Sequence, residues 1–103
     1  MKRGEVRWYS FKTPDKRGPV VVLTRDSALK FLGEVTIAPI TTTVRDIPSE
    51  VYLNESDGMP MACAVNLDHI QTVSKPRLGP LITTLPQEKM ADIGSALRFA
   101  LGF

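Results

Sequence analysis

At 103 residues, with 43% hydrophobic and 23% charged side chains, the chain has room for one core, and the expected unit is a single folded domain over residues 1–103. A net charge of +2 permits a nucleic-acid partner without demanding one, because dedicated DNA binders are far more basic. One cysteine and one histidine exclude an internal disulfide and the usual four-ligand zinc site, so no metal or other cofactor is expected.

The charged start, residues 1–5, leads into no apolar run, and no stretch approaches the roughly 18 residues of a membrane span. A cytoplasmic location with no membrane contact is the expectation. Residues 4–11 alternate, with Val6, Trp8 and Ser10 on one face and Arg7, Tyr9 and Phe11 on the other, which predicts a strand. Residues 12–18 form a mostly charged, turn-forming loop. Residues 19–24 are β-branched and apolar on both faces, so this strand should be central and covered twice. Asp26 or Ser27 caps a short helical turn over residues 28–32, which Gly33 ends.

Residues 34–40 are the next strand, and Pro39 within it predicts a bulge or an edge. Residues 41–48 form a loop with Arg45 and Asp46, residues 50–53 a short strand, and residues 54–58 a turn. Residues 61–67 and 70–74 read as strands, residues 75–79 as a turn, and residues 80–85 as the last strand. From Gln87 the period changes. Met90, Ile93, Leu97 and Leu101 mark an amphipathic helix of about four turns. Thr84 and Gln87 have capping-box spacing, and Gly94 suggests a close packing contact. Short strands followed by one helix predict a mainly β fold, a small twisted sheet or partly closed barrel with a C-terminal helix packed on it.

Common catalytic motifs are missing: there is no Walker loop, dinucleotide fingerprint, H-E-x-x-H or nucleophile elbow. A single histidine rules out a two-histidine ribonuclease mechanism within one chain, and His69 reads as structural or interfacial. Cys63 reads as a small buried hydrophobe, and Met59 and Met61 as turn and core. Two strand ends hold the residues suited to phosphate. Arg17 opens the central strand, and its guanidinium matches a phosphate in a bidentate way at any working pH, although a solvated loop arginine is the alternative. Thr41, Thr42 and Thr43 offer hydroxyls and backbone N–H groups where the next strand stops, with β-propensity and a turn as the plainer explanation. If the two ends lie side by side, they form an anion site.

Four segments, taken together in order and spacing, carry a resemblance. They are Arg3-Gly4-Glu5-Val6; Arg17-Gly18-Pro19-Val20-Val21-Val22-Leu23; Ala38-Pro39-Ile40-Thr41-Thr42-Thr43 with Pro48-Ser49-Glu50-Val51; and Asp68-His69-Ile70-Gln71-Thr72-Val73 with Lys75 and Arg77-Leu78-Gly79. Over essentially its whole length the chain resembles the MazF/PemK/Kid family of toxin endoribonucleases from prokaryotic toxin–antitoxin pairs. The resemblance implies a homodimer of PemK/CcdB-type, SH3-like small barrels that cleaves single-stranded RNA at a short sequence without metal. The 2′-OH attacks the adjacent phosphorus, leaving 2′,3′-cyclic phosphate and 5′-OH ends, and a cognate MazE-like antitoxin blocks the groove with an extended tail.

By the same resemblance, Thr41 falls on the catalytic threonine, Arg17 on the catalytic arginine and Asp68 on the aspartate some members use as base, with His69 replacing a neighbouring glutamine. Phe11, Lys12, Lys16, Thr42 and Thr43 are the expected RNA contacts, with Trp8 a second stacking candidate and Arg45 a further cation. The chain departs from the family pattern in two places. Gly18 separates the arginine from the proline, which makes Lys16 and Arg25 alternatives should Arg17 point elsewhere. The loop before it keeps Asp15 as its only acid. A non-catalytic binding module of the same fold, like the gyrase-poisoning CcdB toxins or a degenerate toxin that only binds antitoxin, is the competing expectation.

Overall fold

The computed structural model describes residues 1–11 and 16–103; Lys12 and Asp15, an expected RNA contact and the loop's expected acid, lie outside the described residues. Seven strands run in chain order: β1 (Glu5–Ser10), β2 (Arg17–Val22), β3 (Glu34–Thr41), β4 (Glu50–Leu53), β5 (Cys63–Asn66), β6 (Gln71–Ser74) and β7 (Leu78–Thr84). Among the described residues two α-helices, α1 (Asp26–Leu29) and α2 (Gln87–Leu101), and three short 3₁₀ turns accompany the strands. The antiparallel sheet is ordered β4-β5-β3-β2-β1-β7, with β6 lying beside the first half of β3. This is the expected mainly β fold with a C-terminal helix. Among the described residues no helix is long and apolar enough to cross a membrane.

The β-branched run in β2 is buried on both faces, as its composition predicts. Val21 joins a core of Val6, Ala38, Ile40, Leu53 and Val65 on which Ile93 and Ala96 of α2 pack. Val20 and Val22 face a second core with Tyr9, Leu29, Val35, Ile37 and Val73. β2 starts at Arg17, two residues before the expected Pro19, because the β1–β2 ladder continues through Tyr9–Gly18 to Ser10–Arg17. That places the arginine on a strand rather than in the loop.

Pro39 is neither at a sheet edge nor in a bulge. The Leu23 N–H donates to the Thr36 carbonyl, so by the antiparallel alternation the Val20–Pro39 pair is not hydrogen-bonded, and the proline's missing N–H is turned away from β2. On that other side β6 stops pairing at Ile37 and β5 begins at Ile40, so no ladder bond is lost.

Three local expectations need correction. Arg25, not Asp26 or Ser27, is the N-cap of α1, and Asp26 instead accepts the Arg3 backbone N–H at 2.7 Å. Thr84 belongs to β7 and Pro86 caps α2, so there is no capping box there; the one that forms is Asn54 with Asp57, around a 3₁₀ turn. Gly94 makes no close contact, since a Cβ at that position would meet nothing within 4 Å.

Candidate active site at the ends of β2 and β3

The antiparallel register sets the N-terminal end of β2 beside the C-terminal end of β3. Val20 pairs with Pro39, and two further residues along each strand bring Gly18 level with Thr41. The two strand ends therefore lie side by side, and Gly18, not Arg17, is the β2 residue level with Thr41, so the side chain of Arg17 points to the Trp8 face of the sheet.

The Arg17 guanidinium lies 4.7 Å from the centre of the Trp8 ring, a stacked cation–π arrangement that fixes an otherwise exposed side chain. Trp8 in turn lines a cavity with Pro19, Thr41 and Thr42, so one aromatic ring connects the arginine to the threonine segment. The Thr41 hydroxyl accepts the Thr43 backbone N–H at 3.1 Å. A hydroxyl carries one donor and two acceptor positions, so this turn leaves the Thr41 O–H proton available to a ligand oxygen while consuming the Thr43 N–H. Thr42 and Thr43 are exposed beside it.

A second arginine, not anticipated as a site residue, approaches the same strand end. The Arg77 guanidinium sits 5.3 Å from the centre of the Tyr9 ring, and its Nη2 donates to the Ser10 carbonyl at 3.2 Å. Tyr9 and Trp8 point to opposite faces of β1, so Arg17 and Arg77 bracket its end from both sides. The signal for Arg77 was its place in the Arg77-Leu78-Gly79 segment, where it looked like part of a turn. Lys16 is exposed next to Arg17, and its carbonyl accepts the Phe11 N–H at 2.8 Å. Lys16, Arg17 and Arg77 are thus three described cations at this end of the barrel, a group suited to phosphate.

The remaining expected residues have the following surroundings. The Phe11 ring packs edge-on to Tyr9 at 5.0 Å and beside Gly18, half-buried like Trp8, so each face of this strand end carries one partly accessible aromatic. Arg25 lies past the opposite end of β2, so the structure does not bring it to Thr41. Arg45 donates its backbone N–H to Glu50 at 2.9 Å and holds the loop before β4.

Asp68 follows β5 in a 3₁₀ turn, after Asn66 and before Gln71, which pairs with Ile37. Thr41 pairs with Ala64, and Asp68 lies four residues further along the chain, in the turn that leaves β5. Its carboxylate accepts the Ser49 hydroxyl at 2.6 Å. The backbone register thus sets the ends of β2 and β3 side by side, with the Arg17 side chain on the Trp8 face and the Gly18–Thr41 level one residue further along β2.

The profile of the PemK-like, MazF-like toxins of type II toxin–antitoxin systems matches residues 2–101. The probable endoribonuclease MazF5 of Mycobacterium tuberculosis is 42% identical over 100 residues, which cover 96% of this chain and 91% of that protein. Endoribonuclease MazF3 of the same species is 39% identical over 88 residues, covering 85% and 82%. Among solved structures, the Mycobacterium tuberculosis toxin MazF-mt6 superposes with a TM-score of 0.87 at 31% identity, over 96% of this chain and 97% of that one. An endoribonuclease from a mycobacterial species, solved in complex with its cognate antitoxin, superposes with a TM-score of 0.90 at 28% identity, over 100% and 96%. Sequence and fold agree along nearly the whole length, and this protein belongs to the PemK-like, MazF-like toxin family of type II toxin–antitoxin systems.

Proposed function

We propose that the protein is an endoribonuclease toxin that cleaves single-stranded RNA without a metal ion, and that the reaction takes place at Arg17 and Thr41. The observation that carries this is the Arg17 guanidinium held over Trp8 at the strand end that Thr41 shares. In the reaction the 2′-oxygen forms a bond to the adjacent phosphorus as its proton leaves. The bond to the 5′-oxygen breaks, and that oxygen takes up a proton. Negative charge accumulates on the non-bridging oxygens in between.

Arg17 supplies a fixed positive charge and paired N–H donors to those oxygens, and Thr41 donates its unused O–H to one of them. Donors held in place before the reaction need no reorganisation as the charge develops, which is where their catalytic value lies. Asp68, hydrogen-bonded to Ser49 in the turn after β5, is the candidate base for the 2′-OH. Lys16 and Arg77 contact the flanking backbone phosphates, positioning the strand without reading its sequence. The active form is a homodimer, and a cognate antitoxin of the MazE kind inhibits it by occupying the RNA groove.

The test is to incubate the protein with a long single-stranded RNA in EDTA and map the ends produced. Cuts at one short sequence, with 5′-OH and 2′,3′-cyclic phosphate ends, are expected. No cutting by folded protein, or cutting only when a divalent metal is added, contradicts the proposal.

A further inference from the structure

Beside Thr41 the barrel opens into a cavity of about 250 Å³, lined almost wholly by carbon and sulfur from Trp8, Pro19, Ile40, Met61 and Cys63. Thr41 and Thr42 complete the wall, so the cavity adjoins the end of β3 at which the function above sets the scissile phosphate. The two methionines of the neighbouring turn behave differently. Both line the cavity, but Met59 is 4% exposed and fixed in the core, whereas Met61 is 54% exposed, a large apolar side chain left partly in water at the wall.

We propose that this cavity binds one base of the RNA substrate, a pyrimidine entering by its C5–C6 edge, next to the phosphate at Arg17 and Thr41. The proposal rests on the endoribonuclease function above and adds a determinant of its sequence preference. At about 250 Å³ the cavity is smaller than the roughly 300–1,000 Å³ sites that take drug-sized ligands, so it suits a single flat ring.

The lining decides which edge enters. A base inserted by its Watson–Crick edge would bury N–H and C=O groups with no partners, and a purine turned the other way would bury N7. The C5–C6 edge of a pyrimidine carries only C–H groups and meets the thioether of Met61 and the indole of Trp8 without that penalty. Its Watson–Crick edge stays at the mouth, where Thr42 and water can pair with it. An apolar side chain of the antitoxin is the competing occupant. The base is favoured because the cavity shares Thr41 and Thr42 with the phosphate site and Trp8 with Arg17.

The experiment maps cleavage of a randomised single-stranded RNA in EDTA by the wild-type protein, Met61→Trp and Met61→Ala. Both substitutions are at a side chain outside the buried core. The wild type should require a pyrimidine at one position flanking the cut. Met61→Trp, which fills the cavity, should weaken that requirement about tenfold and keep the rest of the motif. Met61→Ala, which widens it, should admit purines there. Replacing that pyrimidine by its 5-methyl derivative should raise kcat/KM about fourfold in the wild type, the worth of one buried methyl, and not in Met61→Trp. A purine at both flanking positions in the wild type, or an unchanged motif in both variants, overturns the proposal while the endoribonuclease function stands. So does a Met61→Trp variant that loses only antitoxin affinity. Folded wild-type protein that cuts no RNA overturns the function itself and this proposal with it.

Discussion

The guanidinium of Arg17 lies 4.7 Å from the centre of the Trp8 ring, across the β1–β2 ladder in which Ser10 pairs with Arg17 and Trp8 with Pro19. The contact turns a flexible surface arginine into a positioned one. On the proposed function, Trp8 acts on catalysis by positioning Arg17. Trp8→Ala should lower the cleavage rate between about 5-fold and 100-fold, from the loss of an exposed cation–π contact to the cost of a displaced catalytic group. Trp8→Phe keeps a ring face and should retain most of the rate. Initial rates on one defined RNA check this, and a wild-type rate in Trp8→Ala contradicts it.

Arg77 should matter for binding more than for chemistry. It reaches the site by way of the Tyr9 ring and the Ser10 carbonyl, on the face of β1 opposite Arg17. Arg77→Ala should raise KM, leave kcat within about a factor of three, and reduce the dependence of RNA binding on log salt by about one phosphate contact. Salt titrations of binding and steady-state kinetics on the same RNA separate these effects.

Burial pushes the Cys63 thiol above its usual 9.0, and the nearby Asp57 charge adds to the rise. Below pH 9.0 the thiol is protonated in the folded and unfolded chains alike, and stability is unaffected. As pH climbs past that value the unfolded chain loses the proton while the folded chain keeps it, so this group's contribution to stability falls with rising pH. Melting temperature followed from pH 7 to 10 should therefore drop less steeply in Cys63→Ala than in the wild type. The native thiol should also resist alkylation until the protein unfolds.

Gly58 closes the 3₁₀ turn after β4 with a φ of 90°. A Cβ there would meet the Thr83 hydroxyl, so Gly58→Ala combines left-handed strain with a steric clash. A loss of about 1–3 kcal/mol is expected, a fall in Tm of roughly 4–8 °C per kcal/mol for a chain of this size. Gly94→Ala tests the opposite case: its Cβ meets nothing on a helix surface, so the variant should be at least as stable as the wild type. Thermal melts of the two variants give the comparison.

The features legible in the sequence were those that composition alone determines. The apolar run at Val20, Val21 and Val22 could only be a strand covered on both faces, and the spacing of Met90, Ile93 and Leu97 could only be a helix laid on a core. Arg17 and Thr41 were legible as two strand ends because antiparallel neighbours bring such ends together. What the sequence did not reveal depended on partners distant in the chain. Asp26 has the composition of a helix cap but goes to Arg3, and Pro39 avoids an edge only because β5 and β6 divide one side of β3 between them. Arg77 and Met61 looked like turn residues because their neighbours in space, Tyr9 and Trp8, are far away in sequence.

The most direct test of the site is the cleavage rate of Arg17→Ala and Thr41→Val on an RNA that the wild type cuts at a mapped position. Melting temperature and antitoxin binding are followed in parallel. Both side chains lie outside the buried cores, so both variants should fold as the wild type does. Each should lose about 10²–10³ in rate, the usual consequence of removing a preorganised donor to a developing oxyanion. Cleavage at the wild-type rate by either variant would show that the phosphate is held somewhere other than the shared end of β2 and β3.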